Sequence, residues 1–432
     1  MFAYYLHLAL RSLGRNRVIT ALMVLAIAFG VGASMTTLTV LRTLSADPVP
    51  GKSHRLFNVQ LDPRPASRSM PSTEPPEQLT RTDAEALIRA AKAERQVMMS
   101  GGNAAIEPTR ADLAPFFADA RWTTADFFVM FGAPFAAGTP WTAVDDERAA
   151  RVVVITRELA EKLFGTIEII GRSLRVDGTE MRIVGVLDTW RVNPHFYDLN
   201  TTVYGTGEQL FAPFSTSREL KLSRSGTTDC WENAPEPEAL GAPCTWVQLW
   251  VELGSMSAVA NYQDFLTSYS QDQRRAGRFE REPTIRLRSV VDWLAFKQVV
   301  PSDVRLQTWI ALGFLIVCLI NTIGLLLTKF LRRASEVGVR RALGASKREI
   351  FTQLLIEAAV VGLAGGLVGL LFTWIGLGMI RSQPTTYAAL ARLDLPMLGI
   401  TIALAVVSSI LAGVFPAWRG CQVSPSIQLK SP

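Results

Sequence analysis

Four long apolar runs dominate this chain of 432 residues and restrict what it can fold into. The runs cover residues 18–41, 306–328, 354–380 and 397–418, and none contains Asp, Lys or Arg. Each is near or above the roughly 20 residues that a helix needs to cross a bilayer core of about 30 Å. Buried helices of a large soluble protein can also be this apolar. Four such runs in one chain nonetheless favour a membrane protein with four transmembrane α-helices.

The segment between the second and third runs is rich in Lys and Arg. Its cations are Arg332, Arg333, Arg340, Arg341, Lys347 and Arg348, against the acids Glu336 and Glu349. Because Lys and Arg are retained on the cytoplasmic side of a membrane, this segment predicts a cytoplasmic loop. The same rule, applied to Arg11, Arg15 and Arg17 before the first run, predicts cytoplasmic N- and C-termini. The net charge of +6 is therefore a topology signal, and no nucleic-acid partner is expected.

The N-terminal residues 1–17 predict a short amphipathic helix at the cytoplasmic surface. Apolar residues recur at helical spacing from Phe2 to Leu13, opposite Arg11 and Arg15. A plain continuation of the first span is the alternative. The first run is longer than the roughly 7–15 apolar residues of a signal peptide, and no convincing cleavage site follows it. It is therefore interpreted as an uncleaved anchor.

The polar stretch of residues 42–304 predicts a large α+β extracytoplasmic domain between the first and second spans. Strand and helix patterns alternate along it, which is typical of a mixed domain. The predicted strands are residues 55–61, 152–156, 173–176, 182–187 and 245–253, and the predicted helices are residues 83–96, 157–164 and 257–273.

The cysteines agree with an external position for this domain. Cys230 and Cys244 are the only two cysteines in residues 42–304, and they bracket a Pro-rich loop. In an oxidising compartment they predict one disulfide, which stabilises a loop of this size by about 3 kcal/mol. Two free buried thiols are the alternative. The three histidines are scattered and have no metal-ligand spacing, so no metal site is predicted.

Sequence patterns of catalysis are missing. The nearest match to a phosphate-binding loop, residues 46–53, has Ala46 in place of the first Gly and contains prolines that lack N–H donors. No serine-nucleophile motif is present. The acidic residue near the spans is Glu357, at the entrance of the third, whereas ion-coupled carriers place ionisable residues near the bilayer midplane. The chain is therefore expected to be neither an enzyme nor a secondary carrier.

Small residues recur on two of the spans. Ala26, Gly30 and Ser34 form a stripe on the first, and Gly362, Gly365, Gly366 and Gly369 form two overlapping GxxxG patterns on the third. Such faces allow helices to approach closely. Contact with another subunit and packing within one subunit fit the pattern equally well.

The basic loop also resembles a known motif. Residues 335–350, which read SEVGVRRALGASKREI and precede the Gly-rich span, resemble the cytoplasmic loop of the FtsX-like/MacB-like ABC transporter permeases. Residues 123–135, 151–165 and 170–187 resemble the external core domain of that family, and residues 416–427 resemble its C-terminal tail. Four spans with a large domain between the first two is also the layout of the family. The resemblance thus covers nearly the whole chain.

The resemblance implies a permease subunit of an ABC-type export or extrusion complex in a bacterial inner membrane. Because this chain carries no fused nucleotide-binding domain, a separate ATPase subunit that uses ATP and Mg is expected to drive it, and the permease itself would bind no cofactor. The family works as a dimer by mechanotransmission, in which ATP-driven closure in the cytoplasm moves the external domains. The expected partners are therefore a second permease, in a homodimer or a related heterodimer, and a periplasmic adaptor. Lipoprotein release, or regulation of a periplasmic enzyme without transport, are alternatives within the family.

The resemblance further implies that the basic loop forms a short coupling helix that docks on the ATPase. The residues expected at this docking surface are Glu336, Val337, Gly338, Val339, Arg340, Arg341, Ala342, Leu343, Gly344, Ala345, Ser346 and Arg348. Their apolar members would pack into a groove, and their arginines would pair with acidic partner residues. The expected segments are a cytoplasmic helix 1–17, spans 18–41, 305–328, 353–380 and 397–418, an external domain 42–304, a coupling loop 329–352, an external loop 381–396 and a cytoplasmic tail 419–432.

Overall fold

The chain divides into two compact units in the computed structural model, which describes residues 2–66, 74–110, 112–201, 203–205, 207–382 and 394–422. The membrane unit comprises Met1–Ser45 and Val300–Pro432, and the large domain comprises Ala46–Val299. Most of the predicted external loop 381–396 and of the predicted tail 419–432 lies outside the described residues.

Long helices flank a region in which strands and short helices alternate. The first half contains α1 (Phe2–Arg15), α2 (Arg17–Leu44), β1 (Leu56–Leu61), β2 (Leu79–Thr80), α3 (Arg81–Ala90), β3 (Arg95–Glu107), β4 (Phe116–Thr123), α4 (Phe127–Phe131), β5 (Phe135–Gly138), α5 (Ala143–Glu147), β6 (Val152–Thr156), α6 (Arg157–Phe164), β7 (Ser173–Val176) and β8 (Thr179–Leu187). The second half contains β9 (Leu210–Pro213), α7 (Phe214–Glu219), β10 (Arg224–Ser225), β11 (Asp229–Cys230), β12 (Cys244–Glu252), α8 (Met256–Arg275), β13 (Ile285–Ser289), α9 (Val290–Phe296), α10 (Ser302–Leu331), α11 (Ala334–Ala342), α12 (Lys347–Arg381) and α13 (Leu395–Cys421).

Four helices of the membrane unit, α2, α10, α12 and α13, are long and apolar enough to cross a bilayer. The shortest of them, α13, has 27 residues, which exceeds the roughly 20 that a span requires. The large domain lies between α2 and α10 in the chain and contains both helices and a sheet. The fold class predicted from the sequence is therefore confirmed.

The helix α1 is separate from the first span. Asn16 interrupts the two helices, because its φ of −126° and ψ of 66° are not helical. Within α1, Ala9 and Ser12 are buried against the rest of the membrane unit. The predicted apolar stripe from Phe2 to Leu13 includes side chains that lie outside the described ones, so the amphipathic character of this helix stays a prediction.

A mixed sheet is the framework of the large domain. Its strands follow the order β13-β1-β12-β3-β4-β9-β6-β8-β5, and the short strands β2, β7, β10 and β11 pair beside this path. The pairs β4–β9 and β6–β8 are parallel, and the others along this order are antiparallel. The strand β6 reads VVVIT and is almost fully buried, which explains why it consists of β-branched residues without alternation.

An aromatic cluster fills the core beside α4. Neighbouring ring centroids lie 4.9 to 6.3 Å apart, mostly with edge-to-face geometry. Its members are Phe127, Phe128, Phe131, Trp141, Trp190, Phe196, Tyr197, Phe211 and Trp250. Rings of this size bury large apolar areas, and the Trp250 Nε1–H donates to the backbone oxygen of Tyr197 at 3.2 Å, so its polar atom is satisfied as well.

Most elements predicted for the large domain are confirmed, and one is wrong beyond Ala90. Strand 152–156 and helix 157–164 coincide with β6 and α6. The helix predicted over residues 83–96 instead ends at Ala90, and β3 begins at Arg95. The Ala-rich composition favours a helix there. However, β3 lies between β12 and β4, and its pairing with both strands outweighs the local propensity.

The predicted disulfide between Cys230 and Cys244 is confirmed. These residues also face each other in the β11–β12 pair, so the bond closes the hairpin between the two strands at its base. The other two cysteines, Cys318 and Cys421, are free and buried in the membrane unit.

Candidate functional site

The basic loop between α10 and α12 is built around the helix α11. Gly344 lies in the turn between α11 and α12 and has a φ of +100°, a left-handed conformation that favours glycine. Ser346 then caps α12. Its hydroxyl accepts from the Glu349 N–H at 3.3 Å, and the Glu349 carboxylate accepts from the Ser346 N–H at 2.9 Å. This reciprocal capping box fixes the start of α12 immediately after the turn.

A buried charge cluster lies under the loop, centred on Glu357. The Lys329 Nζ is 2.7 Å from Glu357 Oε1, and the Arg333 Nη1 is 3.0 Å from Glu357 Oε2. The Ser12 hydroxyl donates to the same carboxylate. Ser12 belongs to α1, Lys329 to the end of α10 and Glu357 to α12, and Arg333 immediately precedes α11. The Glu357 cluster therefore joins α1, α10 and α12 to the residue at which α11 starts.

Burial makes this cluster sensitive to the loss of any partner. The side chain of Lys329 is 0% exposed and that of Glu357 is 2% exposed. A buried charge is tolerated only when it is paired, because its desolvation costs several kcal/mol. A movement of α11 must therefore carry α12 along through Arg333 or break this ion pair.

Further polar contacts attach α11 to its neighbours. Arg340 donates to Glu336 Oε1 at 2.9 Å within α11 and to Gln353 Oε1 on α12 at 3.0 Å. Arg341 donates to the backbone oxygen of Cys421, the last residue of α13, at 3.4 Å. The loop is thus bonded to α12 and α13 on its inner side.

The residues predicted for docking divide between the two sides of this loop. Val339, Ala342, Leu343, Gly344, Ser346 and Arg348 are exposed, Glu336, Val337, Arg340, Arg341 and Ala345 are half-buried, and Gly338 is buried. Val337 and Arg340 also contact the chain's own helices, and their contact with a partner stays a prediction. Val337 packs against the core of the membrane helices, and Arg340 already bonds Glu336 and Gln353. The motif alone does not distinguish these sides, because both lie on one short helix.

The small residues predicted for helix packing lie at contacts between helices of the same chain. A Cβ added at Gly30 would lie 2.9 Å from Leu315, and the Ser34 hydroxyl donates to the backbone oxygen of Ala311 at 3.0 Å. On α12 the equivalent nearest neighbours are Ser409 for Gly362, Ile27 for Gly365, Ala405 for Gly366 and Ala28 for Gly369. Ala26 is half-buried. Contact of these faces with a second copy stays a prediction.

We expect Gly362→Ala to destabilise the membrane unit although alanine favours helices. The new Cβ would lie 2.5 Å from Ser409 Cβ, and such overpacking costs about 1–3 kcal/mol. Gly378→Ala on the same helix is the matched control, because its Cβ would meet nothing within 4 Å while the gain in helix propensity is the same. Thermal unfolding of the purified protein should show a lower midpoint for Gly362→Ala only. Equal midpoints for the two variants would contradict close packing at Gly362.

Among the described residues, no group of three or more His, Cys, Asp or Glu side chains is placed to hold a metal ion. The Glu357 cluster is the arrangement that sequence reasoning missed. Glu357 was identifiable as an acid near a span, but Lys329 and Arg333 read as ordinary loop charges, and Ser12 lies 345 residues away.

Two family models together cover most of the chain. The model of the MacB-like periplasmic core domain matches residues 20–269, which is more than half of the chain. The model of the FtsX-like permease C-terminal region matches residues 309–425, which contain the basic loop and three of the four spans.

Curated relatives extend over nearly the full length. A macrolide export ATP-binding/permease protein MacB of Azoarcus sp. is 25% identical over 98% of this chain and 58% of its own length. A pyoverdine export ATP-binding/permease protein PvdT of Pseudomonas syringae pv. tomato is 24% identical over 96% of this chain and 58% of its own length. The chain therefore spans somewhat more than half the length of these relatives.

Among solved structures, the chain is similar to the periplasmic region of MacB from Actinobacillus actinomycetemcomitans, with a TM-score of 0.37 and 14% sequence identity. The match covers 60% of this chain and 98% of that one. The model of the periplasmic core domain covers most of the large domain, and the model of the permease C-terminal region lies within the membrane unit. The chain belongs to the family of FtsX-like permeases that carry a MacB-like periplasmic core domain.

Proposed function

We propose that this chain is the permease of an ABC-type export complex and that an ABC ATPase docks on the exposed side of the α11 loop. The observation that carries the proposal is the pair Leu343 and Val339, whose side chains are 84% and 54% exposed. They stand beside the exposed cations Lys347 and Arg348, in a loop whose other side is fixed to the membrane helices. Exposed apolar residues with a polar rim are typical of a protein interface.

Charge supports a cytoplasmic position for this loop. It holds most of the cations near the spans, and Lys and Arg are retained in the cytoplasm, where ATPases have access to ATP and Mg. In this orientation both termini are cytoplasmic, and the large domain is outside a bacterial inner membrane. Force from the ATPase would then pass through Arg333 and Arg340 into α12. Export by mechanotransmission also requires a second copy of the chain and, in some systems, a periplasmic adaptor, and we include both in the proposal.

The relatives support export as the kind of activity. The names of two of them record export of a macrolide and of pyoverdine. These molecules differ widely, so we propose export without assigning the cargo.

A substitution of Leu343 tests the docking surface. The tagged chain should co-purify a protein that hydrolyses ATP, and that purified ATPase should bind the chain in lipid nanodiscs. Leu343→Asp should weaken this binding about tenfold or more, because a carboxylate would be buried in an apolar contact. The matched control is Leu395→Asp, since Leu395 is 83% exposed but begins α13 at the opposite end of the bundle. The affinities can be measured by biolayer interferometry.

Two results would contradict the proposal. If Leu343→Asp binds the ATPase as tightly as the wild type, the ATPase docks elsewhere. If the wild-type chain recovers no ATPase from its own cells, the chain is not driven in this way.

A further inference from the structure

The hairpin closed by the disulfide covers a cleft of the large domain. We call residues 230–244 the hairpin lid. The cleft has a volume of about 390 Å³ and is lined by Arg81, Arg218 and Lys221 from the body of the domain and by Glu236–Ala239 from the lid. The lid is fixed at its base by the bond between Cys230 and Cys244, so its tip is a defined segment over a defined cleft.

Two buried arginines bind one carboxylate of the lid. The side chains of Arg218 and Arg224 are 6% and 9% exposed, whereas that of Glu238 is 35% exposed. The Arg224 Nε is 3.2 Å from Glu238 Oε1, and Arg218 pairs with Glu238 Oε2. Within the described residues, Glu238 is the carboxylate at ion-pair distance from either guanidinium. Arg218 and Arg224, which lie outside the lid, thus form an anion site, and Glu238 of the lid supplies the anion that occupies it.

The aromatic floor of the site holds both arginines in place. The guanidinium carbons of Arg218 and Arg224 each lie 5.3 Å from the ring centroid of Trp246. The ring of Phe214 stacks on Trp246 at 5.7 Å. Cations stacked on aromatic rings are oriented without any help from the lid, so the site would persist if Glu238 left.

The charge of the site is not balanced by Glu238 alone. Two buried cations share one carboxylate. Arg81, which pairs with Glu85 at 2.7 Å, also donates to the backbone oxygen of Glu238 at 3.2 Å. Burial, with further contributions from Arg81 and Arg224, lowers the pKa of Arg218 to about 10. Buried cations that repel each other favour any anion that pairs with them more completely.

An apolar groove continues from the anion site. It has a volume of about 580 Å³ and shares Arg81 and Arg218 with the cleft. Its exposed surface is mostly apolar and includes Ile88, Met98 and Phe214, and the polar residues of its lining include the carboxylates Glu85, Asp146, Glu147 and Glu219. A molecule with a charged head and an apolar body would fill both parts. Ligand sites typically combine apolar surface with charged groups at fixed positions.

We propose that this cleft binds an anionic ligand with an apolar body, and that Glu238 occupies the position of the ligand's anionic group until the ligand displaces it. The lid is held here by polar contacts and by Ala234 and Ala242, which pack against the core of the domain. Besides the ion pairs of Glu238, the Gly241 N–H donates to the Thr82 hydroxyl at 3.0 Å. A ligand carboxylate replaces the Glu238 carboxylate with the same chemistry, so the exchange conserves the ion pairs. This binding property does not depend on the docking of an ATPase.

Binding of naphthalene-2-carboxylate to the full chain in lipid nanodiscs tests the proposal. Its affinity can be followed by saturation-transfer difference NMR, with the neutral 2-naphthamide as the reference ligand. Glu238→Gln should bind the carboxylate about tenfold more tightly than the wild type, because the internal competitor loses its charge. Glu236→Gln is the matched control, since Glu236 lines the same cleft on the same lid without an ion pair to either arginine.

A second variant removes the anion site while keeping the charge balance. Arg218→Gln combined with Glu238→Gln takes away one cation and one carboxylate together, so folding is preserved better than in Arg218→Gln alone. This double variant should lose the gain of Glu238→Gln and bind the carboxylate no better than the amide. The proposal is overturned if Glu238→Gln binds no more tightly than Glu236→Gln, or if the amide binds as well as the carboxylate.

Discussion

Glu357→Leu should destabilise the membrane unit by about 3–5 kcal/mol, the cost of leaving a buried partner charge unpaired. The substitution leaves Lys329, which is 0% exposed, without its carboxylate, and it also removes the acceptor of Arg333 and Ser12. The apparent melting temperature of the purified protein, followed by tryptophan fluorescence, should fall by several degrees. Asp303→Asn is the matched control: Asp303 is an exposed acid in the first turn of α10, and its loss should cost about 1 kcal/mol or less.

A second substitution separates charge from packing in the Glu357 cluster. Lys329→Leu combined with Glu357→Leu removes the buried cation together with the anion, and apolar replacements of a buried pair are often close to neutral. The double variant should therefore be more stable than Glu357→Leu alone. A double variant that melts at or below the temperature of Glu357→Leu would mean that the ion pair is not the reason for the loss.

Arg121→Met should destabilise the large domain by a similar amount, about 3–5 kcal/mol. The Arg121 side chain is 2% exposed, with Nη1 2.6 Å from Asp198 Oδ2 and Nε 3.0 Å from Glu208 Oε1. Methionine keeps most of the apolar volume but leaves two buried carboxylates without a cation. Arg110→Met is the matched control, because the exposed pair of Arg110 and Asp112 should contribute less than about 1 kcal/mol. Unfolding of both variants can be compared by thermal denaturation.

The pH dependence of this loss identifies its cause. Burial raises the pKa of Glu208, but Arg121, with a smaller contribution from His195, more than offsets this, so the pKa lies below its usual value of 4.5. Glu208 therefore stabilises the folded wild type above that pH, and the contribution is lost as the pH falls through the lowered pKa. Without Arg121, burial dominates and raises the pKa of Glu208. The variant then gains stability as the pH falls.

The difference between wild type and Arg121→Met should consequently be largest near pH 7 and should shrink toward pH 4. A difference of the same size at both pH values would indicate lost packing and not lost charge pairing.

The membrane architecture could be read from the sequence because its signals are local. Apolar runs of 20 or more residues and a cluster of cations between two of them do not depend on distant parts of the chain. The disulfide was also readable, since Cys230 and Cys244 have no competing cysteine in the large domain. When a cysteine has only one possible partner in its domain, the disulfide pairing follows from the sequence without knowledge of the fold.

Contacts between distant segments could not be read in this way. Ser12 and Glu357 are 345 residues apart, and Arg121 and Asp198 are 77 residues apart. The helix predicted over residues 83–96 failed beyond Ala90 for the same reason, because the pairing of β3 with β12 and β4 outweighs local propensity. In the basic loop, the sequence motif did not indicate which residues bond the chain's own helices, and the docking role of the loop stays a prediction.

The first and last strands of the large domain, β1 and β13, are direct neighbours in the sheet. Phe57 at the start of β1 pairs with Ser289 at the end of β13, so the first and last strands of this domain lie side by side at one edge of the sheet. A domain whose first and last strands pair with each other resembles a module inserted into a loop. It can be lengthened, shortened or exchanged for another without changing the order of the helices that flank it.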